Sequence, residues 1–183
     1  MPHDHGVEGV DPHVDRLAAT MDAEIRAEQA AYEAEAVRAE QRARSLADVA
    51  RELVIRGDLV EVVVAGRTLR GTAAHAGRDL LVLDTAQGAV DVVLPAVTLL
   101  QVVRRVRDGG RQPGRGAATL RARMTEHEVA GVGVTVLLAD GSTVDGVVAA
   151  TATDHLLVAA GRGPAVVPWG AVAAVWPIVP PVV

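Results

Sequence analysis

Cysteine, lysine and phenylalanine are all missing from the 183 residues. Without cysteine there are no disulfides and no thiolate metal sites, which fits a reducing compartment. Tyr32, Trp169 and Trp176 are the only aromatic side chains, so platforms on which nucleic-acid bases could stack are scarce. No uninterrupted apolar run approaches the roughly 20 residues that span a bilayer. Met1-Pro2-His3-Asp4-His5 lacks the basic stretch and apolar run of a secretion signal. A cytosolic protein with no membrane contact is expected.

Charge is present but uneven. All 18 basic residues are arginine, and the net charge is −5. Residues 1–40 carry ten acids against three arginines, and residues 126–183 carry five acids against one. Residues 101–125 reverse this, with seven arginines and one aspartate. A general nucleic-acid surface is therefore not expected, and any phosphate contact is concentrated in that one segment.

What the chain does have is an internal repeat. Shifting the numbering by 75 lays Gly66 on Gly141, Thr68 on Thr143, Gly71 on Gly146, Asp79 on Asp154 and Leu81 on Leu156. Each copy reads as five short strands of Val, Ala and Leu punctuated by glycine turns. In the first copy these are Leu59–Val64, Thr68–His75, Asp79–Leu83, Ala89–Leu94 and Val97–Val103, with a tight corner at Pro95-Ala96. Gly71 and Gly146, each inside the second strand of its copy, suit the sharp bend of a small closed barrel. The fold class expected is mainly β with an N-terminal helix, built as two tandem five-stranded barrels, each preceded by a short helix.

The remaining segments follow in order. Residues 1–13, with three histidines among acids, prolines and glycines, read as a disordered tail. Loose chelation by His3, His5 and His13 is the alternative reading there, and Pro2 rules out the amide-based copper or nickel site of a free N-terminus. Residues 14–44 contain no Gly or Pro and are rich in Ala, Glu and Arg, which predicts an exposed helical arm. Leu17, Met21 and Ile25 give the arm a thin apolar stripe, suited to a solvated helix or to a helix that binds a protein partner. Leu46, Val49, Ala50, Leu53 and Val54 recur at helical spacing behind Ser45 in the N-cap position, so the first repeat is taken as 45–107. A Gly/Arg-rich linker follows at 108–116, then a second repeat at 117–177 opened by a helix with Leu120 and Met124 on one face. An extended tail occupies 178–183.

This order of a short helix, a bent glycine-bearing strand, an Asp-x-Leu strand and a closing hairpin resembles the Sm-like (SH3-like) fold. The second repeat is most similar to the Hfq branch of bacterial RNA chaperones. Val134-Thr135-Val136 with Asp140-Gly141 resembles its first strand and turn, and Gly146-Val147-Val148 its bent strand. The run from Val167 to Pro177 has the spacing of its closing motif. The resemblance implies edge-to-edge association and a homo-oligomer. It does not carry over the RNA site, because Trp169 and Gly170 stand where the family has a lysine and a histidine. Repeat one, with Leu94-Pro95-Ala96-Val97, lacks those polar groups too. The whole layout also resembles small actinobacterial proteins, some of them called Fis-family transcriptional regulators, although no helix-turn-helix pattern is present.

Candidate nucleic-acid contacts are Arg104, Arg105, Arg107, Arg111, Arg115, Arg121 and Arg123, as bidentate phosphate donors, and Trp169, as a base-stacking surface. Their competing readings are a solvated linker neutralised by the acidic arm, and a tryptophan packed in a core or interface. His75, His127 and the Asp154-His155 pair read as surface or turn residues. Asp79 and Asp154, repeated at a turn-to-strand boundary, read as local backbone caps. The Gly109-Gly110 and Gly114–Gly116 stretches lack the Lys-Ser/Thr of a phosphate loop. No catalytic constellation, metal or cofactor is implied. A non-enzymatic interaction or assembly module is the function expected, with a nucleic-acid-binding regulator as the alternative.

Overall fold

The structure is a computed structural model that describes residues 12–106 and 116–178, with side chains from Met21 onward apart from Asp22. The tail at 1–11, the linker at 107–115 and the last residues 179–183 lie outside the described residues, as do the side chains of His13 and Leu17. The chain divides into two units, Met1–Arg44 and Ser45–Val183. In the first, helix α1 runs Pro12–Ala43, as its composition predicts, and leaves Met21, Ile25, Tyr32 and Val37 exposed. Among the described residues no helix is long and apolar enough to cross a membrane.

The second unit starts with α2, Leu46–Arg56, and its sequence explains both ends. The Ser45 hydroxyl accepts from the Asp48 amide while Asp48 reaches back to the Ser45 amide, a capping box. Gly57 ends the helix in the left-handed conformation at φ 68°, where its amide meets the Leu53 and Val54 carbonyls. Helix α3, Leu120–Ala130, repeats the design with Thr119 as N-cap and Gly131 at φ 63°.

Ten antiparallel strands follow these helices: β1 Leu59–Val64, β2 Arg67–Ala76, β3 Leu80–Thr85, β4 Gly88–Val93 and β5 Val97–Arg104 in the first repeat, then β6 Gly133–Leu138, β7 Thr143–Thr151, β8 His155–Ala160, β9 Gly163–Pro168 and β10 Val172–Ile178 in the second. A single 3-10 turn at Leu94–Ala96 forms the predicted corner, and one at Trp169–Ala171 is its counterpart in the second repeat. The bend in β2 falls where the sequence places it. A Cβ on Gly71 would lie 2.7 Å from the Asp84 carbonyl oxygen, and one on Gly146 would collide with the Ala159 carbonyl. Matching register shifts follow at Ala73/His75 and Val148/Ala150.

The two closed barrels that the pattern predicts are not what forms. All ten strands belong to one open sheet, in the order β5-β1-β2-β3-β4-β10-β6-β7-β8-β9. The physical reason lies at the edges. Strand β4 gives its outer edge to β10 of the other repeat, while among the described residues β5 pairs only with β1 and β9 only with β8. The first and last strands of each repeat are paired, β1 with β5 and β6 with β10, but among the described residues no ladder joins the fourth and fifth strands of either repeat.

Side-chain alternation makes the two cores share residues. Leu137, Ala173 and Ala174 of the second repeat pack in the first core, with Trp176 against it. Leu80, Val82 and Val93 of the first repeat pack in the second core.

Candidate functional site

The junction of the repeats is where this unit concentrates its buried polar groups. Strands β4 and β10 meet over only two register pairs, Val92 with Ala174 and Asp91 with Val175. Asp91 interrupts an otherwise apolar strand and is 0% exposed. A carboxylate so placed needs partners, because an unpaired buried charge costs several kcal/mol. Helix α3 supplies them from one face. Arg123 Nε lies 3.3 and 3.2 Å from the two Asp91 oxygens, and His127 Nε2 donates to Oδ2 at 3.1 Å. Glu126 receives Arg123 Nη1 at 3.0 Å.

Burial pulls the Arg123 guanidinium toward losing its proton, but the Asp91 and Glu126 carboxylates outweigh it and hold the group above its usual range. Arg123, one of the candidate phosphate ligands, is thus engaged in the junction. His127 is not the surface residue that the sequence reading makes it: it is 6% exposed and completes the same cluster. A carboxylate beside a histidine also occurs in nucleophilic triads, but among the described residues no hydroxyl hydrogen-bonds to His127, and its Nε2 is committed to Asp91.

The other candidates are distributed. Arg104 and Arg105 are exposed at the end of β5 and beyond it, and Arg107, Arg111 and Arg115 lie outside the described residues. Arg121 and Trp169 come together on the wall of a cavity of about 970 Å³, which also takes Asp79, Pro95 and Asp140 from both repeats. Trp169 is held there by its indole N–H, which donates to the Ala152 carbonyl at 3.2 Å, and it packs on the second core.

The paired aspartates also differ from the sequence reading. The Asp79 carboxylate accepts from the Leu120 amide at 2.8 Å, across 41 residues, and so caps the first turn of α3 rather than its own loop. Asp154 instead contacts neighbouring His155. What the two positions do share is a backbone bond: their carbonyls accept from Leu94 and Trp169. His75 turns Nε2 to the Ala117 carbonyl at 2.8 Å and keeps a buried, unpartnered Nδ1. Among the described residues no group of three or more metal-ligating side chains converges.

The feature missed from sequence is Asp91 with its two α3 partners. The signal available was a lone acid inside Ala89-Val90-Asp91-Val92-Val93, where its repeat counterpart is Val166. No family model matches the chain, and no curated protein matches it.

Proposed function

We propose that this chain is a non-enzymatic assembly module, built on two Sm-like repeats and working through the edges of its sheet. The observation that carries the reading is the β4–β10 junction, in which one repeat already serves as edge partner to the other. It leaves β5 and β9 as terminal strands, and these expose Leu99 at 52%, Val103 at 39% and Val166 at 61%. Unpaired edges with apolar side chains are templates for pairing with another chain unless something covers them. The arm supplies a second contact surface through Met21 and Ile25.

Sedimentation velocity of the full chain over a wide concentration range tests the reading, together with a Met21→Glu, Ile25→Glu arm variant. Assembly that grows with concentration is expected. A chain that is monomeric throughout contradicts it.

A nucleic-acid-binding regulator is the second reading. It is favoured by Arg104, Arg105 and Arg121, which are exposed and have no acidic partner among the described residues. Fluorescence anisotropy with labelled single-stranded RNA and duplex DNA separates the two. Binding that persists at physiological salt and falls on replacing these three arginines by alanine supports the regulator.

A further inference from the structure

Every described side chain of α1 is exposed, and its apolar residues are sorted by size along the helix. Met21, Ile25 and Tyr32 occupy the first part of one stripe, Ala36, Ala39 and Ala43 continue it, and Gln29 lies within it. Steps of three and four residues keep all of them on one face. Between Ile25 and Tyr32 this face forms a shallow groove, also lined by Glu28, Gln29 and Glu33. The helix thus carries large knobs toward one end of the stripe and a flat alanine track toward the other.

We infer that α1 pairs antiparallel with α1 of a second copy of this chain, with Ile25 opposite Ala43, Tyr32 opposite Ala36, and Ala39 of the second copy seated over Gln29 in the groove. The inference rests on the assembly reading above and names the partner, polarity and register of the arm's contact.

Size selects this arrangement first. Packed helix axes lie about 8–10 Å apart, depending on the side chains at the contact. A parallel pair would stack Ile25 on Ile25 and Tyr32 on Tyr32 toward one end and alanine on alanine toward the other, so the axes could not stay evenly spaced. Turning one helix round sets a large residue on a small one at each of these layers.

Charge selects the same arrangement. Glu24 and Glu28 flank the large end, and Arg38 and Arg42 follow on the same side of the helix toward the small end. The antiparallel pair brings Glu24 beside Arg42 and Glu28 beside Arg38, and symmetry repeats both contacts. Glu33 and Glu35 meet their own copies only at the centre. In a parallel pair, flanking residues five apart face each other, which sets Glu28 against Glu33 and Glu35 against Glu40. A foreign helix would have to match both the size gradient and the charge gradient. A second arm already does.

The absence of native cysteine lets disulfides map the contact in the full chain. All the sites substituted are exposed, so the single chain keeps its fold, which circular dichroism verifies. Under mild oxidation the double variant Ile25→Cys, Ala43→Cys should form a covalent dimer. The controls should not: Ile25→Cys alone, Ala43→Cys alone, and Ile25→Cys with Ala39→Cys, which is a turn out of register. Charge reversal gives a second readout. Glu24→Arg with Glu28→Arg, and separately Arg38→Glu with Arg42→Glu, should each weaken association in sedimentation by at least about tenfold. An equal mixture of the two should restore it, since every reversed charge then meets its opposite. A double variant that does not cross-link, a control that does, or association indifferent to both charge reversals overturns the inference and leaves the assembly reading standing. A wild-type chain that is monomeric at every concentration overturns both.

Discussion

The two repeats share strand order, bend glycines and helix caps, yet they bury opposite chemistry beneath their helices. Helix α2 buries Ala47, Ala50, Leu53 and Val54, an apolar face that packs on its own repeat. Helix α3 buries Leu120, Met124 and His127 and sends Arg123 and His127 to an aspartate on the other repeat. One helix closes a core, and the other also ties two repeats together. The difference shows how one local scaffold can be kept while its specificity is rewritten by three side chains.

The sharpest way to break this comparison is at Asp91. Asp91→Ala leaves Arg123 and His127 without their buried partner, and a loss of about 3–5 kcal/mol is expected in urea unfolding of the full chain. Replacing each member by its counterpart in the other repeat, Asp91→Val after Val166, Arg123→Val after Val49 and His127→Leu after Leu53, should recover most of that loss, since well-packed apolar groups often replace buried ion pairs at little cost. A triple variant no more stable than Asp91→Ala would show that the two helices are not interchangeable at these positions.

Smaller effects test the shared features. Gly71→Ala and Gly146→Ala each drive a Cβ into a backbone carbonyl, and overpacking of this kind costs about 1–3 kcal/mol. Gly170→Ala has open space within 4 Å and should change stability by less than about 0.5 kcal/mol, which makes it the control. Ser45→Ala and Thr119→Ala remove matching N-caps, and each should cost about 1 kcal/mol by chemical denaturation.

The bend glycines, the Ser45 cap and the corner at Pro95-Ala96 were legible because each is specified within a few residues. The junction was not. Asp91 and His127 are 36 residues apart, and Asp79 and the Leu120 amide 41, so no local pattern pairs them. His127 has no nucleophile or ligand partner near it in the sequence and so reads as a surface residue, yet its helix packs over a strand of the other repeat that supplies a carboxylate. Barrel closure misled for a related reason: the bend at Gly71 is real, but whether a bent sheet closes depends on what the last strand pairs with. The bond that anchors Trp169 to Ala152 joins residues 17 apart in two loops and left no trace in the sequence.

The smallest predicted effect is a pH dependence confined to the repeat-one cap. The Ser45 hydroxyl, then the Ser45 amide, hold the Asp48 carboxyl below its usual range. A lowered folded-state pKa means that this contribution is present above the unfolded value of about 3.9 and fades as pH falls through the lowered one. Helix α3 has no acid in its first turn. Acid titration followed by NMR at the two caps should therefore show a protonation-linked shift at Ser45 and none from an equivalent carboxylate at Thr119.

The β4–β10 junction has a further consequence for heredity. In an assembly of identical single repeats, every junction is written by the same codons, and a substitution appears at all of them at once. Here residues 91 and 166 are separate letters, so an aspartate at one and a valine at the other can arise and be selected independently. Any closed assembly of such chains must also hold an even number of repeats, alternating between two kinds of contact.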